Sequence, residues 1–475
     1  MAAPKVSIIM PTYNQARYIG AAIQSVVDQT FPDWELIIVD DGSTDETAAI
    51  VTQFNEPRIH YIDQVNQGVC IARNVGIAKA RGEYLAFLDA DDLYERNKLQ
   101  VQVAHLDQNP TIGLTYGWRT EIDQHGNPLN LARLPATASL ETIVLSFPFA
   151  PSDFMVRRTW VDAVGGFRLG FVVNEDRDLY IRLVLAGCQC VNSEQFLSYR
   201  RLNTEKTFSD LPAKLDDMLR ALDTAFSDPR CPDEVQVLYN AAHRTIYLDW
   251  AYQAAIQGES ALAQAYFRKV LDYDPAMLAN EGKQLLHSLI YTATSDGGDP
   301  ELRLHRIFAQ LPPEMSTLAT RCNWAIAHGY LLRGLSNVLW GRQARGCADF
   351  TCAARLGVTL DKVFLHEATV QLLNYEARFG AAVAQNTFQK LIRALRQSRL
   401  STGARWLYGC YSINVAFRYY RNRQYTDVPL TVVRALLRDP LYLLNRGVVA
   451  ILVRSTIHLL RPSTIRTWCG LKTYP

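Results

Sequence analysis

From Val6 to Asp92 the chain repeats one unit: a short apolar strand, a loop of turn residues and an amphipathic helix. Val6–Met10, Leu36–Val39, Ile59–Ile62 and Tyr84–Leu88 are rich in branched and aromatic residues and bounded by turns, which predicts strands. Between them, Ala16–Gln29, Thr44–Phe54 and Val69–Ala80 carry apolar residues at helical spacing. Ser43 and Thr44, followed by Asp45 and Glu46, supply N-cap chemistry for the second of these helices. Strand–helix alternation with strands apolar on both faces calls for a mainly parallel sheet covered by helices. Ligands on such sheets bind beyond the C-terminal ends of the strands, so the post-strand loops are the places to look for function.

Downstream the pattern loosens. Residues 113–121 and 153–158 read as strands, with a turn at His125-Gly126-Asn127-Pro128 between them. Glu175–Ala186 reads as a helix and Gln189–Arg200 as a further strand. After about residue 210 strand signals stop, Gly and Pro thin out, and Ala and Leu increase. A chain of 475 residues has room for two or three domains. We divide it into residues 1–208, an α/β domain, and residues 209–475, an all-α region. That region repeats itself: Ala251–Pro275 aligns without a gap with Ala416–Pro440, and Gly341–Gly357 fits midway. In the middle copy Gly341, Ala344, Ala348 and Phe350 fall opposite Gly258, Ala261, Ala265 and Phe267. Small and aromatic residues so placed describe helix hairpins resembling tetratricopeptide units, whose period is ~34 residues. The spacing of about 82 makes this a divergent helical array.

The net charge of +2 conceals an asymmetry. Residues 1–210 hold 18 basic and 26 acidic side chains, a balance of −8, and residues 211–475 a balance of +10. Residues 400–475 alone reach +9, with ten arginines and one lysine against Asp427 and Asp439. Such polarity assigns distinct partners to the two ends. Nine cysteines, an odd and sparse set, exclude a disulfide scaffold. Cys188 and Cys190 sit too close for a usual zinc pair and have no second pair, so all nine are expected as thiols in a cytoplasmic protein. The apolar run before Pro11 is too short for the core of a signal peptide.

Four clusters follow predicted strands or open a predicted helix: Pro11-Thr12-Tyr13-Asn14, Asp40-Asp41-Gly42-Ser43-Thr44-Asp45, Asp89-Ala90-Asp91-Asp92 and Asn174-Glu175-Asp176-Arg177-Asp178. Three carboxylates within four positions repel one another unless something positive lies between them. Hard oxygens suit Mg²⁺ or Mn²⁺, which keep waters and share phosphate oxygens. A divalent ion across two phosphates stabilises a departing nucleoside diphosphate as charge builds on it. Read alone, each cluster also fits a blander role: a solvated acidic loop, turn chemistry before Gly42, or acids at the positive end of a helix dipole.

Taken together the four clusters resemble the large family of inverting nucleotide-sugar glycosyltransferases (family 2, GT-A fold). The likeness lies in Val6 to Asn14, Val39 to Ser43, Phe87 to Asp92 and Asn174 to Asp178, and covers residues 5 to about 208. It implies a GT-A domain in which Pro11, Thr12, Tyr13 and Asn14 line the nucleotide, with the Tyr13 ring stacked on the base. Asp41 accepts a hydrogen bond from the nucleobase. Arg73, in Ala72-Arg73-Asn74-Val75-Gly76-Ile77, faces the nucleotide, where its planar fork suits phosphate oxygens; an ion pair is the alternative. Asp91 is the first candidate for the cation, and Asp89 and Asp92 divide ribose and metal contacts between them. Asp176 takes the proton of the attacking hydroxyl on the face opposite the leaving group, while Glu175 holds the loop or the acceptor and Asp178 serves the helix start.

The family often carries Tyr-Arg-x-His near the end of this domain, whereas Tyr199-Arg200-Arg201-Leu202 puts leucine at the last position. Arg201 is one group that could serve in its place. The tail from Pro440 to Arg461 is apolar but broken by Arg446, Arg454 and His458, which argues against a bilayer-spanning helix. It fits an amphipathic segment on the anionic inner face of a membrane, or a basic face of the helical array that meets an acidic protein or polysaccharide. Nucleic acid is not expected. The function so read is transfer of a sugar, hexosyl or N-acetylhexosaminyl, from a nucleoside diphosphate donor, UDP-linked, to a glycan or lipid-linked saccharide. The competing reading is a protein-interaction scaffold on the helical repeats with a vestigial transferase domain. A nucleotidyltransferase would want a glycine-rich phosphate loop, and Pro11-Thr12-Tyr13-Asn14 is not one.

Overall fold

In the computed structural model the described residues are 3–146, 149–202, 210–421, 423–437 and 444–459, and they form two compact units, Met1–Thr320 and Arg321–Pro475. The expected domain boundary at 208/209 and the ends of the basic tail, Pro440 and Arg461, lie outside the described residues.

The first unit is built on a nine-stranded sheet. Its strands are β1 (Val6–Thr12), β2 (Trp34–Asp40), β3 (Ile59–Asp63), β4 (Tyr84–Phe87), β5 (Leu93–Tyr94), β6 (Ile112–Ile122), β7 (Pro128–Ala132), β8 (Phe154–Arg157) and β9 (Gln189–Arg201). The helices among them are α1 (Ile19–Val27), α2 (Thr47–Val51), α3 (Val69–Lys79), α4 (Lys98–Gln108), α5 (Leu140–Leu145), α6 (Arg158–Val164) and α7 (Glu175–Leu185). The spatial order is β3-β2-β1-β4-β8-β6-β9-β5, with β7 paired to β6. The strand–helix units read from the sequence supply the parallel half, in which β1 pairs in parallel with β2 and β4, and β2 with β3. This is the parallel, helix-covered sheet that the strand–helix alternation called for. Antiparallel pairings of β8 with β4 and β6 make the whole sheet mixed.

Burial on both faces explains the apolar runs. Every residue of β1, β2, β4 and β6 is buried, whereas the edge strand β3 is half exposed. Ile19, Ala22, Ile23 and Val26 form one face of α1 and join the core with Ile8, Leu36 and Tyr84. On α3, Gly76 lies so close to β1 that a Cβ there would meet Ile9 Cγ2 at 2.5 Å. The chain runs outward from β1 to β2 and β3 and returns to β4 on the other side. The loops after β1 and β4 therefore face one another at a topological switch point.

The first unit continues in helices α8 (Leu211–Phe226), α9 (Asp233–Gln236), α10 (Tyr239–Gln257), α11 (Ser260–Tyr273), α12 (Ala279–Thr294) and α13 (Pro300–Ala309). The second unit contains α14 (Cys322–Leu339), α15 (Gln343–Arg355), α16 (Lys362–Phe379), α17 (Ala381–Gln397), α18 (Ser401–Arg421), α19 (Val428–Leu436) and α20 (Arg446–Leu459). The sequence copies fall on the hairpins α10/α11, α14/α15 and α18/α19. Gly258 (φ +84°) and Gly341 (φ +78°) make the first two turns in the left-handed region. Equivalent positions Phe267, Phe350 and Val432 are fully buried. One further hairpin lies between successive copies, α12/α13 and then α16/α17, so the interval of about 82 residues spans two hairpins. No helix of the described residues is long and apolar enough to cross a membrane.

One buried carboxylate ties the mixed half of the sheet together. Asp153, fully buried before β8, accepts from Arg119 Nη1 on β6 at 3.0 Å and from Ser198 Oγ on β9 at 2.5 Å. Removing one partner of a buried ion pair leaves an uncompensated charge, at a cost of ~3–5 kcal/mol. Asp153→Ala is therefore expected to lower unfolding stability by about that amount in urea titration. A loss below about 1 kcal/mol would show that Arg119 finds compensation elsewhere.

Candidate functional site

The post-strand loops interlock through their own polar groups. Asn14, in the left-handed region at φ +51°, donates its N–H to Ser43 Oγ at 2.9 Å and accepts from Thr44 N at 2.8 Å through Oδ1. It thus joins the loop after β1 to the loop after β2. Asp40 Oδ1 accepts from Ser43 N at 2.8 Å and Oδ2 from Tyr61 Oη at 2.7 Å, which is turn and strand chemistry. Asp41 Oδ1 accepts from Gln64 Nε2 (2.7 Å) and Gln67 N (2.9 Å), and Oδ2 from Gly68 N (2.8 Å). The carboxylate thereby fastens the loop that leads into α3, a role that its position beside Gly42 did not foretell.

Two adjoining chambers open at this rim. The first, of about 690 Å³, is lined by Pro11, Thr12, Tyr13, Asp41, Gly68 and Asp92 among others. Tyr13 is exposed, and the Thr12 hydroxyl is buried without a hydrogen-bond partner among the described residues. The second, of about 980 Å³, is lined by Glu175 and Asp176 on one side and by side chains of α10, α12 and α13 on another. Arg73, Asp89, Asp91, Arg200 and Arg201 line both. Of the residues that the resemblance placed at nucleotide, cation or acceptor, only Asn14 lines neither chamber.

Arg73 occupies the seam between the chambers. Its guanidinium is almost fully buried and pairs with Asp89 Oδ1 at 2.8 Å and with Glu175 Oε1. It also lies over the Phe167 ring, 5.1 Å from the centroid. The ion pair, one of the two roles left open by the sequence, joins the end of β4 to the start of α7. Arg73 Nε is left without a hydrogen-bond partner among the described residues. Burial disfavours the charged guanidinium, but the carboxylates of Asp89, Glu175 and Asp176 more than offset this and hold the proton.

Asp176 is buried on the second turn-forming position of α7, and its Oδ1 accepts from Arg177 N at 2.9 Å. Its carboxyl is pushed up to about 8, first by burial and then by Glu175, against the pull of Arg73. Arg177 anchors the helix start by donating to the carbonyls of Ile143 (2.9 Å) and Val144 (2.7 Å). Asp178 accepts from Arg182 at 2.8 Å and Arg168 at 3.0 Å, the structural role expected of it. The loop before α7 is held from α8, where Asp217 accepts from Val172 N at 2.6 Å.

The acidic loop after β4 divides its work. Asp92 is buried, and both its oxygens accept hydrogen bonds, Oδ2 from Ser152 Oγ (2.6 Å) and Oδ1 from Arg201 N (2.8 Å). Burial, then Asp91 and Asp89, raise its carboxyl well above the ordinary range. That setting suits a loop anchor better than the cation contact expected from the sequence. Asp91 is partly exposed on the wall common to both chambers. Among the described residues no three His, Cys, Asp or Glu side chains form a cage for a metal. A hard cation that shares substrate phosphates needs only one or two protein carboxylates, and the oxygen set at Asp91 and Asp89 fits such an ion. Ser152 and the α10 side chains escaped the sequence analysis because none follows a strand, and Gln64, directly after β3, because its loop carries no acidic cluster.

The native Asp176 carboxyl keeps its proton up to about pH 8, while the unfolded chain releases it near the ordinary value of 3.8. The native state is the more protonated across that window, so stability falls as pH rises through it, by at most ~1.4 kcal/mol per unit. Asp176→Asn is expected to remove this slope. Urea titrations between pH 5 and 8 should show the variant gaining on the wild type as pH rises, and parallel curves would contradict the raised carboxyl.

Comparison with known proteins places these features in a family. The model of "Glycosyl transferase family 2" matches residues 7–172. A glycosyltransferase of Bacillus subtilis named for teichuronic acid biosynthesis, TuaG, is 40% identical over 131 residues, 27% of this chain and 51% of the relative. The chain thus spans about half the length of that relative. The Escherichia coli enzyme WfgD, named as a UDP-Glc:α-D-GlcNAc-diphosphoundecaprenol β-1,3-glucosyltransferase, is 30% identical over 218 residues, 44% of this chain and 84% of the relative. Among solved structures, residues 1–349 of TarS from S. aureus in complex with UDP align at a TM-score of 0.40 and 18% identity, over 72% of this chain and 92% of that one. With WfgD matched along most of its length and the family model covering β1 to β8 and the acidic loop after β4, the chain belongs to glycosyl transferase family 2.

Proposed function

We propose that this chain transfers a sugar, with inversion, from a nucleoside diphosphate-sugar to a hydroxyl acceptor. The observation that carries this is the common wall: Asp91 and Asp176 line one cavity, and Asp91 also lines the neighbouring chamber under Tyr13 and Asp41. The nucleotide occupies the smaller chamber in this reading. Tyr13 stacks on the base, and Asp41 Oδ2, which accepts from Gly68 alone among the described residues, keeps a lone pair for a nucleobase N–H. Pro11 and Thr12 line the ribose side, with the Thr12 hydroxyl lacking a partner until a ligand arrives. Asn14 acts at one remove by holding the loop. Arg73 Nε and Asp89 face the same seam, where the diphosphate would lie. Bound at Asp91, a Mg²⁺ or Mn²⁺ ion would supply countercharge to the leaving diphosphate.

Asp176 is the proton acceptor in this reading, and Glu175 fixes it through Arg73. A carboxyl raised to about 8 is a strong base once ionised, so the fraction able to accept the hydroxyl proton grows as pH rises toward 8. WfgD is named for a UDP-linked donor and a diphosphoundecaprenol-linked acceptor, which supports UDP and a lipid-linked saccharide here. Residues 1–208 carry the catalytic machinery in this proposal, and the helices from residue 209 onward serve acceptor and partners.

The purified chain is expected to release nucleoside diphosphate from at least one of UDP-glucose, UDP-galactose, UDP-N-acetylglucosamine and UDP-N-acetylgalactosamine with Mn²⁺ or Mg²⁺. Asp176→Asn should lower turnover by ~10²–10⁴-fold, the usual worth of a positioned base. Full activity in that variant would remove Asp176 from the base role, and no release from any donor would sink the transferase reading.

A lipid-linked acceptor places the work near a bilayer, and the second unit carries a surface suited to one. Leu430, Val433 and Leu437 lie exposed at helical spacing on and just beyond α19, and Val449, Val453 and Ile457 on α20. Exposed Arg434, Arg446 and Arg454 flank them, and Asp439 is the one acidic residue in the sequence from Val428 to Leu459. We propose that this pair of helices lies on an anionic lipid surface, with the apolar stripes in the headgroup boundary. The chain should sediment with vesicles of phosphatidylcholine and phosphatidylglycerol, and less in 0.5 M salt or as Val453→Asp. Equal sedimentation of wild type and variant, or none with anionic vesicles, would overturn the assignment.

A further inference from the structure

The larger chamber has a wall that no family motif supplies. Along α10, Asp249, Gln253 and Gln257 recur every four residues and line it as one stripe. Asn174, at the mouth of α7, and Arg306, on α13, line other parts of the same cavity. Two amide groups here lack what a polar group in a protein interior needs. Asn174 is 7% exposed, sits in the left-handed region at φ +66°, and its Nδ2 has no hydrogen-bond partner among the described residues. Gln257 Nε2, at the other end of the stripe, is buried and equally without one. Buried donors are almost always paired, so each such group calls for an explanation. A left-handed, unpaired asparagine beside the candidate base is a strained arrangement that the fold maintains.

We propose that the α10 stripe and Asn174 form the subsite for the acceptor saccharide, a reading that rests on the transferase function proposed above. The chemistry matches a polyol. Hydroxyl groups offer both donors and acceptors: the Asp249 carboxylate takes donors only, and the amides of Gln253, Gln257 and Asn174 complement either. Exposed Arg306, which donates to the Ile256 carbonyl at 3.2 Å, has further N–H groups for ring or hydroxyl oxygens. At about 980 Å³ the chamber lies at the upper end of the usual ligand-pocket range, room for an oligosaccharide terminus. Asp176 lines the same cavity, so a hydroxyl of a sugar held on the stripe reaches the proton acceptor without leaving it. Acceptor choice would then be written in α10, outside the residues that the family model matches.

The test uses p-nitrophenyl β-glycosides of glucose, galactose and N-acetylglucosamine as probes with the full chain. At least one should stimulate nucleoside diphosphate release from the preferred donor. Asp249→Ala and Gln253→Ala should each raise KM for that glycoside at least fivefold, with KM for the nucleotide-sugar within twofold of wild type. Saturation-transfer NMR without donor should show the same glycoside bound to the wild type and not to Gln253→Trp, whose ring covers the middle of the stripe. Unchanged glycoside KM in both alanine variants, or water-dependent release that no glycoside stimulates, would overturn the subsite and leave the transferase reading standing. Absence of release from every donor would instead sink that reading and the subsite with it.

Discussion

The site depends on one buried guanidinium. Arg73 reaches from α3 to Asp89 at the end of β4 and to Glu175 at the start of α7, two segments that are far apart in sequence. Taking three charges out of water is costly, and the cost is offset only while each has its partner. Loss of Arg73 would leave Asp89 and Glu175 facing each other across a poorly solvated seam, with Asp176 next to them. The same triad sets the proton affinity of Asp176: burial and Glu175 raise it, and Arg73 limits the rise. The wall between the two chambers is thus an electrostatic object, in which the position of each acid is set by the charge of its neighbours.

The α/β half was legible because its information is local. Apolar runs and turn residues mark β1 to β4 to within a few residues, and strand–helix alternation leaves little choice of topology. Clusters that follow strands arrive at the same sheet rim as a matter of geometry, which is why Tyr13, Asp41 and Asp91 could be gathered from strand positions, whereas Asp176, which opens α7, was reached only through the family resemblance. Which oxygen each acid offers was not legible. Asp92 and Asp91 are neighbours in one motif, yet Ser152 and the Arg201 backbone take up both oxygens of the first. Those partners come from a turn and a strand 60 and 109 positions away. Pairing of that kind is fixed by packing, which residue spacing does not encode.

The helical part shows the same division. Its repeat was visible in small and aromatic residues because hairpin packing is periodic, and the doubled interval follows from one unmatched hairpin between copies. Its contribution to the site was hidden. Asp217 on α8 holds the loop before α7, and α10 lines the larger chamber, but neither carries a motif. The compact unit that contains the sheet runs on to Thr320 and so includes α8 to α13. Composition changes near residue 210, while compactness changes near residue 320; the first marks a switch in secondary structure and the second a break in packing.

The leucine at position 202 tests how far a motif may change before its chemistry does. Arginine has five N–H donors and no acceptor, so Arg201 cannot replace a histidine as a metal ligand. Its guanidinium instead donates to the carbonyls of Asp91 and Asp123, both at 2.8 Å, and its ring-facing side lies 4.5 Å from the Tyr18 centroid. Its backbone N–H fastens Asp92, and just past the strand Leu202 N donates to the Ile122 carbonyl at 2.8 Å. The end of β9 therefore clamps the acidic loop from two directions. A cation bound at Asp91 would rely on a carboxylate whose backbone is rigidly held, with substrate phosphates and water completing its shell. Arg201 places a positive charge next to the position where the family often has histidine; in the reading proposed above it would add countercharge for a diphosphate without coordinating the cation.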